Sequence, residues 1–372
     1  MPSDDSMRAE TAQGEALIAQ VDQAIEDFLH PKLELLAQIS PQLTILGQLA
    51  RSFTSGGKRL RPGFCVWGYL SAAPAPQDPG PLIRVAASLD LFHVAELVHD
   101  DVMDSSDTRR GQPSAHRQLE RWHHAKQLSG SASEFGEATA IILGDLLGKW
   151  AVELFAESAF PSPALGRARR YLQEMSTEVS AGQFLDMLGQ ACDPRSARSA
   201  FEASWAMVER VVEYKTSRYT VIRPLQIGAA LAGATSGLLG ALESYGSAVG
   251  RAFQYRDDVL GVFGDPEQTG KPAGDDLREG KLTALATLAM RLCTPEQASQ
   301  LAVSLGRPDL DEVDIAALRE IITGSGALEA TEAAIEDALD IAIRAIRREP
   351  SIRPASANAL AELAYSAANR DR

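Results

Sequence analysis

Helical periodicity runs along almost the whole chain. Apolar residues recur at three- and four-residue intervals, and few stretches alternate apolar and polar as a strand does. Glycine and proline interrupt the pattern at Gly56-Gly57, 73–81, 161–163, 264–274 and Gly306-Arg307-Pro308. The pattern predicts an all-α protein. An N-terminal stretch over 1–12 lacks order, and a single domain over 13–372 forms a bundle of antiparallel helices around a central cavity.

Two segments depart from simple amphipathicity. Over 82–104, Leu82, Ile83, Val85, Leu89, Leu91, Phe92, Val94, Leu97 and Val98 leave few polar positions, which predicts a central helix. It ends nevertheless in Asp100, Asp101 and Asp104. A second largely apolar segment, 242–263, carries Asp257 and Asp258. A buried carboxylate without a partner costs several kcal/mol, so each segment calls for a cation. In a helix, Asp100 and Asp104 are neighbours on one face, as are Asp101 and Asp104. Divalent magnesium suits such a pair, because it takes one or two carboxylates and completes its shell with water and phosphate oxygens. A solvated acidic helix end accounts for one cluster taken alone; two clusters more than 150 residues apart suggest facing walls of one cavity.

Composition narrows the chemistry. The chain of 372 residues carries 50 acids against 36 bases, a net charge of −14. That excludes a broad nucleic-acid surface, but not an anionic substrate held by local cations. Such cations are present in glycine-punctuated segments. Gly56-Gly57-Lys58-Arg59-Leu60-Arg61-Pro62 places three beside a glycine pair, Arg109-Arg110-Gly111 follows the first acidic cluster, and Lys215-Thr216, Lys271 and Lys281 add more. Loop amides and Arg forks favour phosphate, so bound diphosphate explains these cations better than scattered surface charge. Cys65, Cys192 and Cys293 are dispersed and read as inert thiols of a reducing compartment. The start, MPSDDSMRAE, carries no signal sequence, and no apolar run reaches the ~18 residues of a spanning helix. The expectation is a cytoplasmic protein without an integral membrane segment.

With these motifs in order, the chain resembles the trans-isoprenyl diphosphate synthases, or polyprenyl synthetases, and among them the bacterial geranylgeranyl diphosphate synthases. GGKRLRP at 56–62, HDDVMDSSDTRRG at 99–111, GQFLD at 182–186, KT at 215–216, FQYRDDVLG at 253–261 and GKPAGDDLREGK at 270–281 carry the resemblance, which covers about 20–370. It implies the isoprenoid synthase fold and head-to-tail condensation of isopentenyl diphosphate with an allylic diphosphate. It further implies that Asp100, Asp104 and Asp257 hold three Mg²⁺ ions, with Asp101 and Asp258 in support. Arg109, Lys215 and Lys271 would hold the allylic diphosphate. Lys58, Arg61, His93 and Arg110 would form the isopentenyl diphosphate site, and Gln183, Asp186, Thr216 and Gln254 would line the reacting centre, with Lys281 a further substrate contact. His93 lies seven residues before Asp100, on the same helical face, which supports its role independently of the resemblance. The family usually forms homodimers.

The resemblance also implies a ruler for product length. The residue five before Asp100 often sets the floor of the product tunnel. Here it is the small Ala95, with Phe92 one turn, ~4.5 Å, deeper. The expectation is a C20 product, geranylgeranyl diphosphate; a floor elsewhere would allow C25 or longer, and C15 is the shorter alternative. Glu96 places a charge beside this apolar tunnel without an evident reason. The second acidic motif often ends in Asp, whereas Gly261 stands here, which weakens the expected support at that end. The polar stretch 116–140, with Trp122-His123-His124, reads as a surface loop or mobile lid. A terpene cyclase of the ionising type is the competing reading, but it does not need the second diphosphate site that Lys58, Arg61 and Arg110 suggest.

Overall fold

The computed structural model of the protein describes residues 4–191, 201–265, 274–307 and 309–368. The chain divides into two compact units, Met1–Ala168 with Gly228–Gly233, and Arg169–Ile227 with Ala234–Arg372, where the sequence predicts a single domain over 13–372. The described residues are overwhelmingly helical, as the periodicity predicts.

The first unit is built around α5 (Gly80–Met103). It touches α1 (Asp4–Ile18), α2 (Val21–Ile39), α3 (Thr44–Thr54), α4 (Leu60–Ala72), α6 (Ala115–Ala125) and α7 (Ala132–Ala156). Leu82, Val85, Leu89 and Leu91 of α5 are completely buried, so a helix apolar on nearly all faces is a central one. In α2, Val21, Ile25, Leu29 and Leu36 form the buried stripe, at the spacing of one helix face. Lys32 ties α2 to Glu153 of α7.

The N-terminus corrects the sequence reading, because α1 is helical from Asp4 rather than disordered to residue 12. Ala-rich composition favours the helix, and Leu17 buries its side chain. Gly14 lets α1 lie against the Trp67 indole; a methyl group there would stand 2.4 Å from the ring. The 116–140 stretch is likewise ordered, falling mostly into α6 and the start of α7. Its polar surface hides a packed face: Trp122 stacks on Phe135 at 5.9 Å, and buried His123 donates to the Ser129 carbonyl at 3.2 Å.

The second unit includes α9 (Phe201–Val211), a π-helical segment (Val212–Ile222) and α11 (Ser236–Phe263). It closes with α12 (Asp275–Glu279), α13 (Ala284–Leu292), α14 (Pro295–Ser304), α15 (Glu312–Gly324), α16 (Ala327–Arg348) and α17 (Pro354–Ala368). Here α11 is the central helix, touching the π-helical segment, α12, α13, α16 and α17. Tyr245 of α11 donates to the Leu360 carbonyl at 2.7 Å, and buried Arg256 pairs with Glu332 at 2.6 Å and donates to the Ala368 carbonyl at 2.7 Å. The guanidinium thus fastens α11 to α16 and α17 at the level of the adjacent acidic pair. Two further helices, α8 (Ser162–Gln190) and α10 (Arg223–Leu231), complete the order.

Close backbone approach explains one glycine. A Cβ at Gly228 would stand 1.8 Å from the Cys65 carbonyl oxygen and 2.8 Å from the Tyr69 nitrogen, both main-chain atoms of α4. Gly228→Ala should therefore destabilise the protein by about 1–3 kcal/mol through overpacking. A lowered midpoint of thermal denaturation checks this; an unchanged midpoint contradicts the close approach.

Candidate active site

The acidic end of α5 is fixed from three sides. Before it, the His99 Nε2 donates to the Ile141 carbonyl of α7 at 3.2 Å, and a side chain at Gly144 would collide with that imidazole at 2.3 Å. After it, the Asp104 amide donates to the Asp100 carbonyl at 2.8 Å and the Ser106 amide to the Asp101 carbonyl at 2.9 Å. The chain then turns through a hairpin, β1 (Thr108–Arg109) and β2 (Gln112–Pro113), in which Arg109 pairs with Gln112. The two loop residues, Arg110 and Gly111, have φ of 51° and 71°, as a two-residue hairpin of this hand requires. That turn brings Arg109 back onto the helix it left. Its Nε donates to the fully buried Asp101 carboxylate at 2.8 Å, and its guanidinium lies 3.7 Å from Asp100. Asp100 and Asp104 keep partial exposure at the helix end.

The cationic loop lies on the same unit. A side chain at Gly57 would meet the Arg110 guanidinium at 3.3 Å, so the hairpin tip reaches over Gly57. Lys58 is exposed and Arg61 half-buried. Burial, together with Arg61 and Arg110, holds the His93 imidazole well below the usual histidine range, so its ring is neutral near pH 7. Burial also raises the Glu96 carboxyl; Asp100 adds to the effect, while His99 and Arg61 oppose it. Glu96 thus lies near Arg61, His99 and Asp100 at the acidic end of the helix. Phe92 and Ala95 are buried, and Ala95 faces Gly148 of α7, where a methyl group would lie 3.8 Å from the alanine Cβ.

The second unit gathers another set. Lys215 pairs with Asp186 at 2.6 Å. Gly182 permits this, because a Cβ there would stand 2.5 Å from the Lys215 nitrogen. Lys215 and Thr216 lie in the π-helical segment, a rare form that often marks functional sites. The Thr216 hydroxyl donates to Gln254 Oε1 at 2.6 Å, and Gln254 Nε2 donates to Asp258 at 2.9 Å. The other Asp258 oxygen accepts from the Ala284 amide at 2.9 Å. Burial, with Asp276 and Asp257 adding to it, pushes the Asp258 carboxyl up to about 7, against these hydrogen bonds. Asp258 therefore organises the protein around it, while Asp257 is half-exposed. Gln183 is buried, and Lys281 pairs with Glu279 at 2.5 Å. Lys271 lies outside the described residues.

Gly261 receives an explanation that the sequence does not offer. A Cβ there would stand 2.0 Å from an Asp276 carboxylate oxygen. The space over the expected third acid is thus taken by a carboxylate from α12. The sequence reading also missed His99 and Gly144, which anchor the acidic helix end, and Asp90, an acid inside an apolar helix whose presence signals a buried partner.

Each unit offers donors of the kind magnesium accepts: Asp100 and Asp104 in the first, and Asp257 in the second, present hard carboxylate oxygens at partly exposed positions. Among the described residues no three acidic, His or Cys groups converge as a preformed cage. Mg²⁺ characteristically accepts one or two carboxylates per ion and leaves the other positions to water and phosphate.

Comparison with known proteins gives the family. The polyprenyl synthetase family model matches residues 44–322, and the chain belongs to that family. It is 30% identical to the octaprenyl diphosphate synthase of Escherichia coli over 93% of this chain and 97% of that one. It is 31% identical to the geranylfarnesyl diphosphate synthase of Aeropyrum pernix, over 89% and 93% respectively. Its fold is similar to a geranylgeranyl pyrophosphate synthase of Corynebacterium glutamicum, solved with isoprenyl diphosphate and magnesium. The TM-score is 0.88 at 35% identity, covering 95% of this chain and 99% of that one. The all-α architecture is the isoprenoid synthase fold, and the family is one of prenyltransferases. Among the described residues no helix is long and apolar enough to cross a membrane.

The neutral His93 gives a pH prediction. An unfolded chain takes up a proton below about pH 6.5, the ordinary histidine value, and the substrate-free folded chain does not. This residue therefore makes stability fall as pH drops through that range. NMR titration of the His93 ring, identified by its loss in His93→Asn, should show a midpoint well below 6.5; a midpoint at or above 6.5 contradicts the buried, cation-flanked setting.

Proposed function

On the premise of family membership, we propose that this chain is a Mg²⁺-dependent prenyltransferase that joins isopentenyl diphosphate head to tail to an allylic diphosphate, yielding geranylgeranyl diphosphate, C20. One observation carries the condensing reading: the Arg110 guanidinium lies over Gly57, beside Lys58 and Arg61, while Arg109 is tied to the acidic end of α5. A condensing enzyme needs places for two diphosphates, and a cyclase needs one.

In this reading Asp100, Asp104 and Asp257 hold three magnesium ions. Bound there, Mg²⁺ supplies the charge that stabilises a departing diphosphate. Arg109, Lys215 and Lys271 hold the allylic diphosphate, and Lys58, Arg61, His93 and Arg110 hold isopentenyl diphosphate. The allylic C–O bond breaks with both electrons leaving on oxygen, and the isopentenyl double bond supplies the pair for the new C–C bond. A proton then leaves to a diphosphate oxygen. Gln183, Asp186, Thr216 and Gln254 line the reacting centre, where side-chain dipoles steady the positive charge. Asp101 and Asp258 position the groups around them, and Lys281 adds positive charge.

Product length rests on α5. Ala95 is small, and Phe92 closes the path one turn, ~4.5 Å, further on. The named products of the relatives range from geranylgeranyl to octaprenyl diphosphate, so the family alone does not choose among them. The chain acts as a cytoplasmic homodimer. Exposed Ile141, Ile142 and Val152 on α7 favour a covered face, and the buried thiols Cys65 and Cys293 suit a reducing compartment.

The test is to supply Mg²⁺, isopentenyl diphosphate and a C5, C10 or C15 allylic diphosphate, then identify the dephosphorylated products by mass spectrometry. Geranylgeraniol is expected. A cyclic hydrocarbon formed without isopentenyl diphosphate would overturn the condensing reading. Phe92→Ala should lengthen the product by about one isoprene unit; an unchanged C20 product would sink the floor assignment. Asp100→Ala should lower turnover by about 10²–10³-fold, in line with the loss of one charge-stabilising group.

A further inference from the structure

The cationic loop contains an arginine that the proposed substrate site does not use. Arg59 sits at the start of α4 in the left-handed region, φ 48° and ψ 39°, which is unusual for a residue with a side chain. Although it lies between two substrate-facing cations in sequence, its side chain is 9% exposed. The guanidinium pairs with Asp90 of α5, donates from Nε to Asp22 of α2 at 2.6 Å, and donates to the Thr54 carbonyl at the end of α3 at 2.8 Å. Its own carbonyl accepts from the Gly63 amide at 2.8 Å, which starts α4. Asp90 is 5% exposed and lies three residues before His93, on a neighbouring part of the same helix face.

These contacts divide the labour in the Lys58-Arg59-Leu60-Arg61 run. The charge of Arg59 is spent on two carboxylates of the protein. Its three side-chain attachments tie the loop to three helices, one of which carries both His93 and the acidic end. We propose that Arg59, held by Asp90, is a positioning residue for the isopentenyl diphosphate site. It fixes the backbone at 57–61 so that Lys58 and Arg61 meet the diphosphate, and it does not bind the diphosphate itself. This inference rests on the proposed assignment of Lys58 and Arg61 to that substrate.

The two roles predict opposite effects at Asp90. If Arg59 were a phosphate ligand, the nearly isosteric Asp90→Asn would release its charge and leave binding equal or tighter. As a positioning residue, Arg59 needs Asp90, and losing either partner loosens the same loop. The experiment compares Arg59→Gln, Asp90→Asn, the double variant, Arg59→Lys and Lys58→Ala. It measures KM for isopentenyl diphosphate, KM for the allylic diphosphate, and deuterium exchange over 55–61 without substrate.

Arg59→Gln and Asp90→Asn should each raise KM for isopentenyl diphosphate about tenfold, as a small misplacement of binding groups does. KM for the allylic partner should stay unchanged, the double variant should be no worse than either single one, and Arg59→Lys should recover part of the loss. Exchange over 55–61 should quicken in both single variants. An unchanged or lowered isopentenyl KM in Asp90→Asn would overturn the proposal, as would a lower thermal midpoint with both KM values unchanged. Should Lys58→Ala also leave that KM unchanged, the substrate assignment fails. The exchange measurement, which needs no substrate, then decides separately whether Arg59 pins the loop, and unchanged exchange would overturn that as well.

Discussion

A carboxylate at the C-terminal end of a buried helix is opposed twice, by lost hydration and by the negative end of the helix dipole. Both central helices carry acidic residues toward that end: Asp100 and Asp101 on α5 with Asp104 as its C-cap, and Asp257 and Asp258 on α11. The rest of the structure is arranged to tolerate this. Arg109 returns through a tight hairpin to cover Asp101, and two hydrogen bonds hold Asp258, whose carboxyl is nevertheless pushed up to about 7. In each pair of adjacent acids, one is buried and hydrogen-bonded to protein groups. Asp100 and Asp257 remain partly exposed, and in the proposed reading a magnesium diphosphate would bind there.

The same economy governs the cations. Arg59 is held by Asp90 and Asp22, Lys215 is oriented by Asp186, and Lys281 lies against Glu279, while Lys58 and Arg110 stay exposed. In a chain of net charge −14, positive groups concentrated in short glycine-bearing segments create a local exception to the overall field. Ion pairs of this partly buried kind contribute little net stability, because desolvation offsets their attraction. Their value here is geometric, since each fixes a loop or helix end that carries another charged group.

Much of this was legible in the sequence. The apolar run from Leu82 to Val98 requires a central helix, and its terminal aspartates require a cation whatever the family. The helical start at Asp4 was not legible, because its order depends on Leu17 and on Gly14 lying under Trp67, a contact between distant residues. The order of 116–140 was hidden for a similar reason: Trp122 and His123 find partners in Phe135 and Ser129 only after the chain folds. Motif spacing placed Lys58, Arg59 and Arg61 together without telling which one faces inward, since that follows from the left-handed turn at Arg59 and from Asp90 on another helix. Gly261 likewise read as a missing acid, although Asp276 occupies the space above it.

In the proposed reading the exposed aspartates of the two clusters take diphosphate only together with magnesium. Calorimetric binding of a non-ionising thio analogue of an allylic diphosphate, measured with Mg²⁺ and with EDTA, separates this from metal-free binding. Saturable binding is expected with Mg²⁺, disappearing in EDTA and lost when Asp100 and Asp257 are both changed to Ala. Equally tight binding in EDTA, or in that double variant, would show that magnesium and these carboxylates do not hold the diphosphate.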